Sequence, residues 1–199
     1  MLHTFVALVE DKTGLLARVA SLFRRLDVNI ISLTVGGTET AGVARTTIVA
    51  EAAAERAPRI MASLYKLEGV IEVDDLGRHS AVVRELAMLK IAADQSTRSD
   101  LFQLAEVFRA RIVDLAPESL MLEITGSASK IEGLVQILLQ GNYRILEMAR
   151  TGRMAMRRGH HASRVLEALG DTTPPADQKP FFGASKREAP DLLEDENHA

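Results

Sequence analysis

The chain contains no cysteine, which excludes disulfides, thiolate metal sites and cysteine nucleophiles and fits a reducing compartment. Aromatic residues make up only 4% of it, too few for a surface that stacks nucleobases. Charge of one sign is also missing. The net charge of −3 gives no global field favouring nucleic acid or a membrane surface. No apolar run approaches the roughly 20 residues a bilayer helix needs. The first residues enter a strand pattern directly, with no basic region or cleavage site, so a cytoplasmic protein is expected. There is no phosphate-binding glycine pattern and no nucleophile–base arrangement. His160-His161 has no third ligand at metal spacing, and adjacent side chains point apart, which favours solvated histidines over a metal site.

What is present is a real core: 47% of the 199 residues are hydrophobic, enough for one large or two small domains. The chain is organised around residues 9–23, Val-Glu-Asp-Lys-Thr-Gly-Leu-Leu-Ala-Arg-Val-Ala-Ser-Leu-Phe. A strand over 2–9 runs into a polar turn with one glycine. From Gly14 the period changes: Leu15, Leu16, Val19, Leu22, Phe23 and Leu26 fall on one helical face. Strands are predicted over 28–35, 43–50 and 70–73. Pro58 opens a second helix bearing Ile60, Met61, Leu64 and Leu67. Residues 1–77 thus read βαββαβ, a ferredoxin-like order, with one antiparallel sheet and both helices on one face. The other face is left bare and calls for a partner.

Residues 78–84 read as a polar joint, and the same order then repeats over 84–158. A strand over 86–92 precedes Thr97-Arg98-Ser99-Asp100, which matches a capping box. Strands over 112–115 and 120–125 precede Ser129-Lys130-Ile131-Glu132, a second capping box. Gly141-Asn142 ends that helix, and 143–149 is the last strand of the repeat. The fold class is therefore α+β, two consecutive ferredoxin-like βαββαβ domains. Beyond Gly170 the chain holds four prolines, scattered charge and no apolar period, and residues 171–199 are expected to form a disordered tail.

The turn suggests a ligand. A helix N-terminus offers free backbone N–H groups to a carboxylate, and Asp11 beside it accepts from an ammonium group. Asn29 opens the next strand. Individually these read as a turn glycine, a helix cap and a turn asparagine. Grouped around one strand–helix mouth, they describe an amino-acid site. The run Arg150, Arg153, Arg157, Arg158 and Arg164 carries no acid between its members. It reads as a solvated edge, then as a docking surface for an acidic partner, and last as an RNA contact.

Val-Glu-Asp-Lys-Thr-Gly-Leu-Leu-Ala-Arg-Val, Leu-Phe-Arg-Arg and Asn-Ile-Ile-Ser-Leu-Thr-Val together resemble the ACT domain of the acetolactate synthase small-subunit family. Residues 84–91, 108–114 and 150–159 are similar to that family's second domain, so the resemblance spans about 1–160 in order. It implies that domain 1–77 is an ACT regulatory domain and that 84–158 is the small subunit's carboxy-terminal domain. It implies a dimer whose ACT sheets join side by side, with valine or another branched-chain amino acid bound at the interface by Asp11, Gly14, Leu15, Asn29, Ile30 and Gly36. It implies no active site and no cofactor in this chain. The large catalytic subunit is expected to carry thiamine diphosphate, Mg²⁺ and FAD, to be activated by this chain and to be made sensitive to feedback inhibition. Arg153, Arg157 and Arg158 are the expected docking residues on that partner. The pattern departs from the family at Asp11, where Asn is frequent, at Thr13, at 26–28, where a glycine is usual, and at Ile31. A stand-alone ACT module sensing an amino acid for another enzyme or a transcriptional system remains the alternative.

Overall fold

The computed structural model describes residues 1–159. The expectations for His160-His161, Arg164 and the tail 171–199 lie outside the described residues. The chain begins with β1 (Leu2–Glu10), α1 (Leu15–Arg25), β2 (Ile30–Gly37), β3 (Val43–Glu51), α2 (Ala57–Tyr65) and β4 (Val70–Asp75). Their sheet has the order β2-β3-β1-β4, and all its pairings are antiparallel. Alternate residues of β1 and β3, including Phe5, Ala7, Val9, Ile48 and Ala50, meet Leu15, Val19, Leu22 and Phe23 of α1 and Ile60 and Leu64 of α2. The four α1 residues recur at the predicted helical spacing, and burying each contributes about 1.5–3 kcal/mol. Leu16, expected on the same face, lies one residue round the helix from Leu15 and is exposed instead. Pro58 occupies the first turn of α2 as expected.

α1 stops in a reversal at Asp27, which adopts φ 51°. The Val28 N–H donates to the Phe23 carbonyl (3.1 Å), and both side chains enter the core. The left-handed backbone explains why glycine suits this turn, and aspartate is among the residues that tolerate it.

The second sheet comprises β5 (Ala81–Ala92), α3 (Arg98–Val107), β6 (Arg111–Ala116), β7 (Ser119–Gly126), α4 (Ala128–Gln140) and β8 (Ile145–Arg150), in the order β6-β7-β5-β8. Its core joins Ala87, Leu89 and Ile91 of β5 and Leu120, Leu122 and Ile124 of β7 to Leu101 of α3 and Ile131, Leu134 and Leu138 of α4. Two antiparallel sheets with interleaved helices are thus present, as expected of two ferredoxin-like domains.

Several local expectations are corrected. Residues 81–84 are not a joint: they are the first third of β5. They pair with β9 (Met154–Arg157), which lies beyond the strand predicted over 143–149 but within 150–159, the segment that resembles the family's closing strand. β9 continues β8 along the same side of β5, interrupted at 151–153. This two-stranded ribbon lies on the first sheet's other face, where Ala155 packs with Val6 and Leu76, and Ala81 and Val83 lie against them. That face is therefore partly covered by the chain itself. Neither capping box forms as predicted. Thr97 precedes α3 without a side-chain cap, and α4 is capped by Ser127, which accepts from the Lys130 N–H (3.2 Å). Gly141-Asn142 ends α4 as expected, with Asn142 taking the left-handed conformation (φ 57°).

Candidate functional site

The turn after β1 forms as the residues dictate. The Asp11 N–H donates to the Gly42 carbonyl (2.8 Å), tying the turn to the start of β3. Gly14 adopts φ 85° and begins α1 with no side-chain cap. A Cβ there would meet nothing within 4 Å, so the position faces open space, while its backbone conformation is one that favours glycine. No acidic side chain lies in the first turn of α1 to neutralise the helix end. Asp11 is exposed, and among the described residues its carboxylate makes no hydrogen bond or ion pair. An uncapped helix end and a free carboxylate are thus set side by side at the rim of the first domain.

Leu15 differs from its neighbours: its backbone is at the mouth, but its side chain is buried in the core. It also lines a small cavity of about 250 Å³ with Glu10, Lys12, Thr13, Arg18, Glu68 and Gly69. Two surface pairs ring that cavity, Lys12–Glu10 at 2.7 Å and Arg18–Glu68 at 2.9 Å. Gly36 lies on β2 opposite Arg45, exposed and with open space where a Cβ would be. It is at the same end of the sheet as Gly14.

Asn29 is not. Its carbonyl accepts from the Glu51 N–H (3.4 Å), and Glu51 pairs with Leu2 at the far end of β1. The eight steps along β1 from Leu2 to Glu10, at about 3.3 Å each, separate that end from the turn by roughly 26 Å. Within one chain, Asn29 does not share a strand–helix mouth with Asp11 and Gly14, and that grouping is corrected. Ile30, next to Asn29, packs partly against the first core.

β2 is an edge strand of its sheet, with Ile31, Leu33 and Val35 exposed. Behind it a groove of about 650 Å³ separates it from the second domain, with Glu85, Ser129, Glu132 and Arg150 on the far wall. Arg150 makes two hydrogen bonds to the buried Glu85 carboxylate (2.7 and 2.9 Å), and these push the guanidinium above its ordinary pKa. Arg157 makes the same kind of paired contact with Asp74 (2.5 and 2.6 Å), with the same effect. The basic run is therefore not a row of unpaired charges. Two of its members fasten the second domain internally and to β4. Arg153 and Arg158 have no ion-pair partner among the described residues. Between them, Met154 and Met156 project outward at 62% and 65% exposure.

Sequence reasoning missed the contacts made by residues 151–153. Gly152 (φ 80°) is the break in the β8–β9 line, and it lies against Ser32 and Thr34 of β2. A lone glycine between two strand-like runs is the signal that could have found it.

Among the described residues, no helix is long and apolar enough to cross a membrane, and no group of three or more His, Asp or Glu is placed to hold a metal ion.

Two family profiles match: residues 5–72 fit an "AHAS small subunit-like ACT domain" and residues 84–159 fit "Small subunit of acetolactate synthase". The chain is 46% identical over 158 residues to a protein of Methanothermobacter thermautotrophicus named probable acetolactate synthase small subunit, covering 79% of this chain and 93% of that one. It is 42% identical over 157 residues to the acetolactate synthase small subunit of Mycolicibacterium smegmatis, covering 79% and 91% respectively. The crystal structure of the acetolactate synthase small subunit from Thermotoga maritima superposes with a TM-score of 0.74 at 36% identity, covering 81% of this chain and 99% of that one.

Proposed function

We propose that this chain, which belongs to the acetolactate synthase small-subunit family, activates the large catalytic subunit and makes it sensitive to valine. Membership carries a regulatory, non-catalytic role in branched-chain amino-acid synthesis and a large catalytic subunit as partner. In our reading, that partner holds thiamine diphosphate, Mg²⁺ and FAD, and the complex is cytoplasmic.

One observation carries the ligand reading: an uncapped α1 begins at Gly14 at the same sheet end as Gly36, on a domain whose β2 edge is free. An unpaired edge with exposed Ile31, Leu33 and Val35 favours strand pairing with a second copy. Antiparallel pairing of β2 about a twofold brings the start of one strand beside the end of the other. Asn29 of the partner subunit then reaches the Gly36 end, which no Asn29 reaches within its own chain. The N–H groups that open α1 receive the valine carboxylate, Asp11 accepts from its ammonium group, and the apolar residues of the paired edges take the aliphatic side chain.

For docking, Arg153 and Arg158 steer an acidic surface of the large subunit, and Met154 and Met156 supply adaptable apolar contact. Arg157, expected to share this task, is committed to Asp74. A stand-alone sensing module would have no use for a second domain that fits the small-subunit profile over 84–159.

The test is calorimetric titration of valine, leucine and isoleucine into the purified chain. Its mass in solution and its effect on large-subunit activity are measured in parallel. We expect a dimer that binds valine, has no synthase activity alone, and raises the activity of the large subunit. A stable monomer at micromolar concentration, or a dimer indifferent to all three amino acids, overturns the interface site.

A further inference from the structure

Resting on the ligand reading proposed above, we infer that the Gly152 bulge, clasped by Ser32 and Thr34, is the joint through which ligand occupancy is passed to the carboxy-terminal domain. β2 carries Ile30 and Gly36 and follows directly on Asn29. The same strand holds the bulge from behind: the Thr34 hydroxyl donates to the Thr151 carbonyl (3.0 Å), and the Arg153 N–H donates to the Ser32 hydroxyl (3.3 Å). The fit has no slack. A Cβ on Gly152 would stand 2.5 Å from Ser32 Oγ and 2.8 Å from Thr34 Oγ1, on a backbone already at φ 80°. Other ties between the first sheet and β9 come from β3, where Arg45 donates to the Ala155 carbonyl (2.7 Å), and from Asp74 on β4. Neither of those strands carries a proposed ligand position.

The bulge is also well placed on its other side. The Thr151 N–H donates to the Leu86 carbonyl (3.0 Å), and its hydroxyl accepts from the Leu86 N–H (3.1 Å). It is flanked by Arg150, fixed on buried Glu85 in the middle of β5. A shift of β2 therefore draws on the bulge, and the bulge draws on the strand that runs through both the ribbon and the second sheet. The groove of about 650 Å³ beside β2 leaves room for such a shift. A ligand moves an equilibrium only through contacts that differ between the two states, and β2 is where ligand and second domain meet. The anchors on β1, β3 and β4 stay in place meanwhile, so the second domain pivots and does not detach.

The experiment uses the small subunit reconstituted with the large subunit. Two variants open the clasp: Gly152→Ala, which forces both hydroxyls aside, and Ser32→Ala with Thr34→Val, which removes them without backbone strain. Valine affinity of the small subunit, stimulation of the large subunit and residual activity at saturating valine are read separately. We expect affinity and stimulation to stay within about threefold of wild type, while the inhibitory effect of valine falls by about fivefold or more, the lower end of ordinary coupling. Should Gly152→Ala fail to fold, the hydroxyl variant decides. Wild-type inhibition in a folded variant overturns the joint alone. Parallel loss of stimulation and inhibition also overturns it, because the clasp is then a structural tie. A wild-type complex indifferent to valine, leucine and isoleucine overturns the joint together with the ligand reading.

Discussion

The two domains thread their strands in the same spatial order, second, third, first, fourth, and each places a helix after its first strand. They differ where that helix begins. In the first domain α1 starts at a left-handed glycine with nothing capping it. In the second, the Asp94 carboxylate fills the equivalent turn, accepting from the N–H groups of Ser96 and Thr97 (2.9 Å each) and from both their hydroxyls. The Ser96 hydroxyl and the Thr97 contacts hold the Asp94 carboxyl well below the usual carboxylate range. One domain leaves its helix end without a side-chain cap, and the other closes the equivalent turn with its own Asp94. A repeated fold therefore does not imply a repeated site.

The sharpest way to break this contrast is to close the open turn. Gly14→Asp puts a carboxylate where the ligand's own would sit. Short-range repulsion of on the order of 1–4 kcal/mol corresponds to roughly a 5- to 1000-fold loss of valine affinity. Calorimetric titration checks it, and wild-type affinity in the variant would place the pocket elsewhere. Dimer and activation are expected to survive.

A second contrast lies in the charges. The second domain buries Glu85 at 6% exposure beneath Arg150, whereas the first keeps Arg18–Glu68 at its rim. Arg150→Ala strands a buried carboxylate, and we expect it to cost about 2–4 kcal/mol of unfolding free energy by denaturant titration. An unchanged midpoint would show Glu85 finding water or another cation.

Asp94→Ala opens the closed turn. It should lower the melting temperature without changing valine binding and without creating a second ligand stoichiometry in the titration. Because the folded carboxyl titrates below its unfolded value of about 3.9, its contribution is full above that pH. It is lost as pH falls through the lower folded value, so the gap between wild type and variant should close only in strong acid. A gap that closes near neutrality would point to another group.

Glu68→Ala should have the smallest effect. An exposed pair of this kind contributes about 0.2–1 kcal/mol or less, and less still at high salt. A loss of several kcal/mol on chemical unfolding would mean that the rim pair is held by something further.

Much of this architecture was legible from periodicity. The change from strand to helix at Gly14, the α1 face and the βαββαβ order all rest on local spacing, and local spacing is what the sequence displays. Asn29 was misplaced because six residues after Phe23 is close in sequence but lies at the opposite end of the sheet, a consequence of α1 running back along β1. The capping boxes failed because a Ser or Thr three residues before an acid is a common coincidence, and the cap falls where the backbone turns, at Asp94 and Ser127. Arg157 looked unpaired because Asp74 lies 83 residues away in sequence. The closing strand was legible only through the resemblance over 150–159; periodicity misses its pairing with 81–84 because Gly152 splits one long line into two short runs.

The ribbon also fixes an order of events during synthesis. The first sheet and its helices are complete by Asp75, yet Ala155, which covers Val6 and Leu76, is made some 80 residues later. At about 5–20 residues per second this delay is roughly 4–16 s. Throughout it the nascent amino-terminal domain offers an uncovered apolar face together with an unpaired β2 edge, the combination that invites nascent chains on neighbouring ribosomes to join. A messenger slowed between residues 76 and 157 lengthens that exposure in direct proportion.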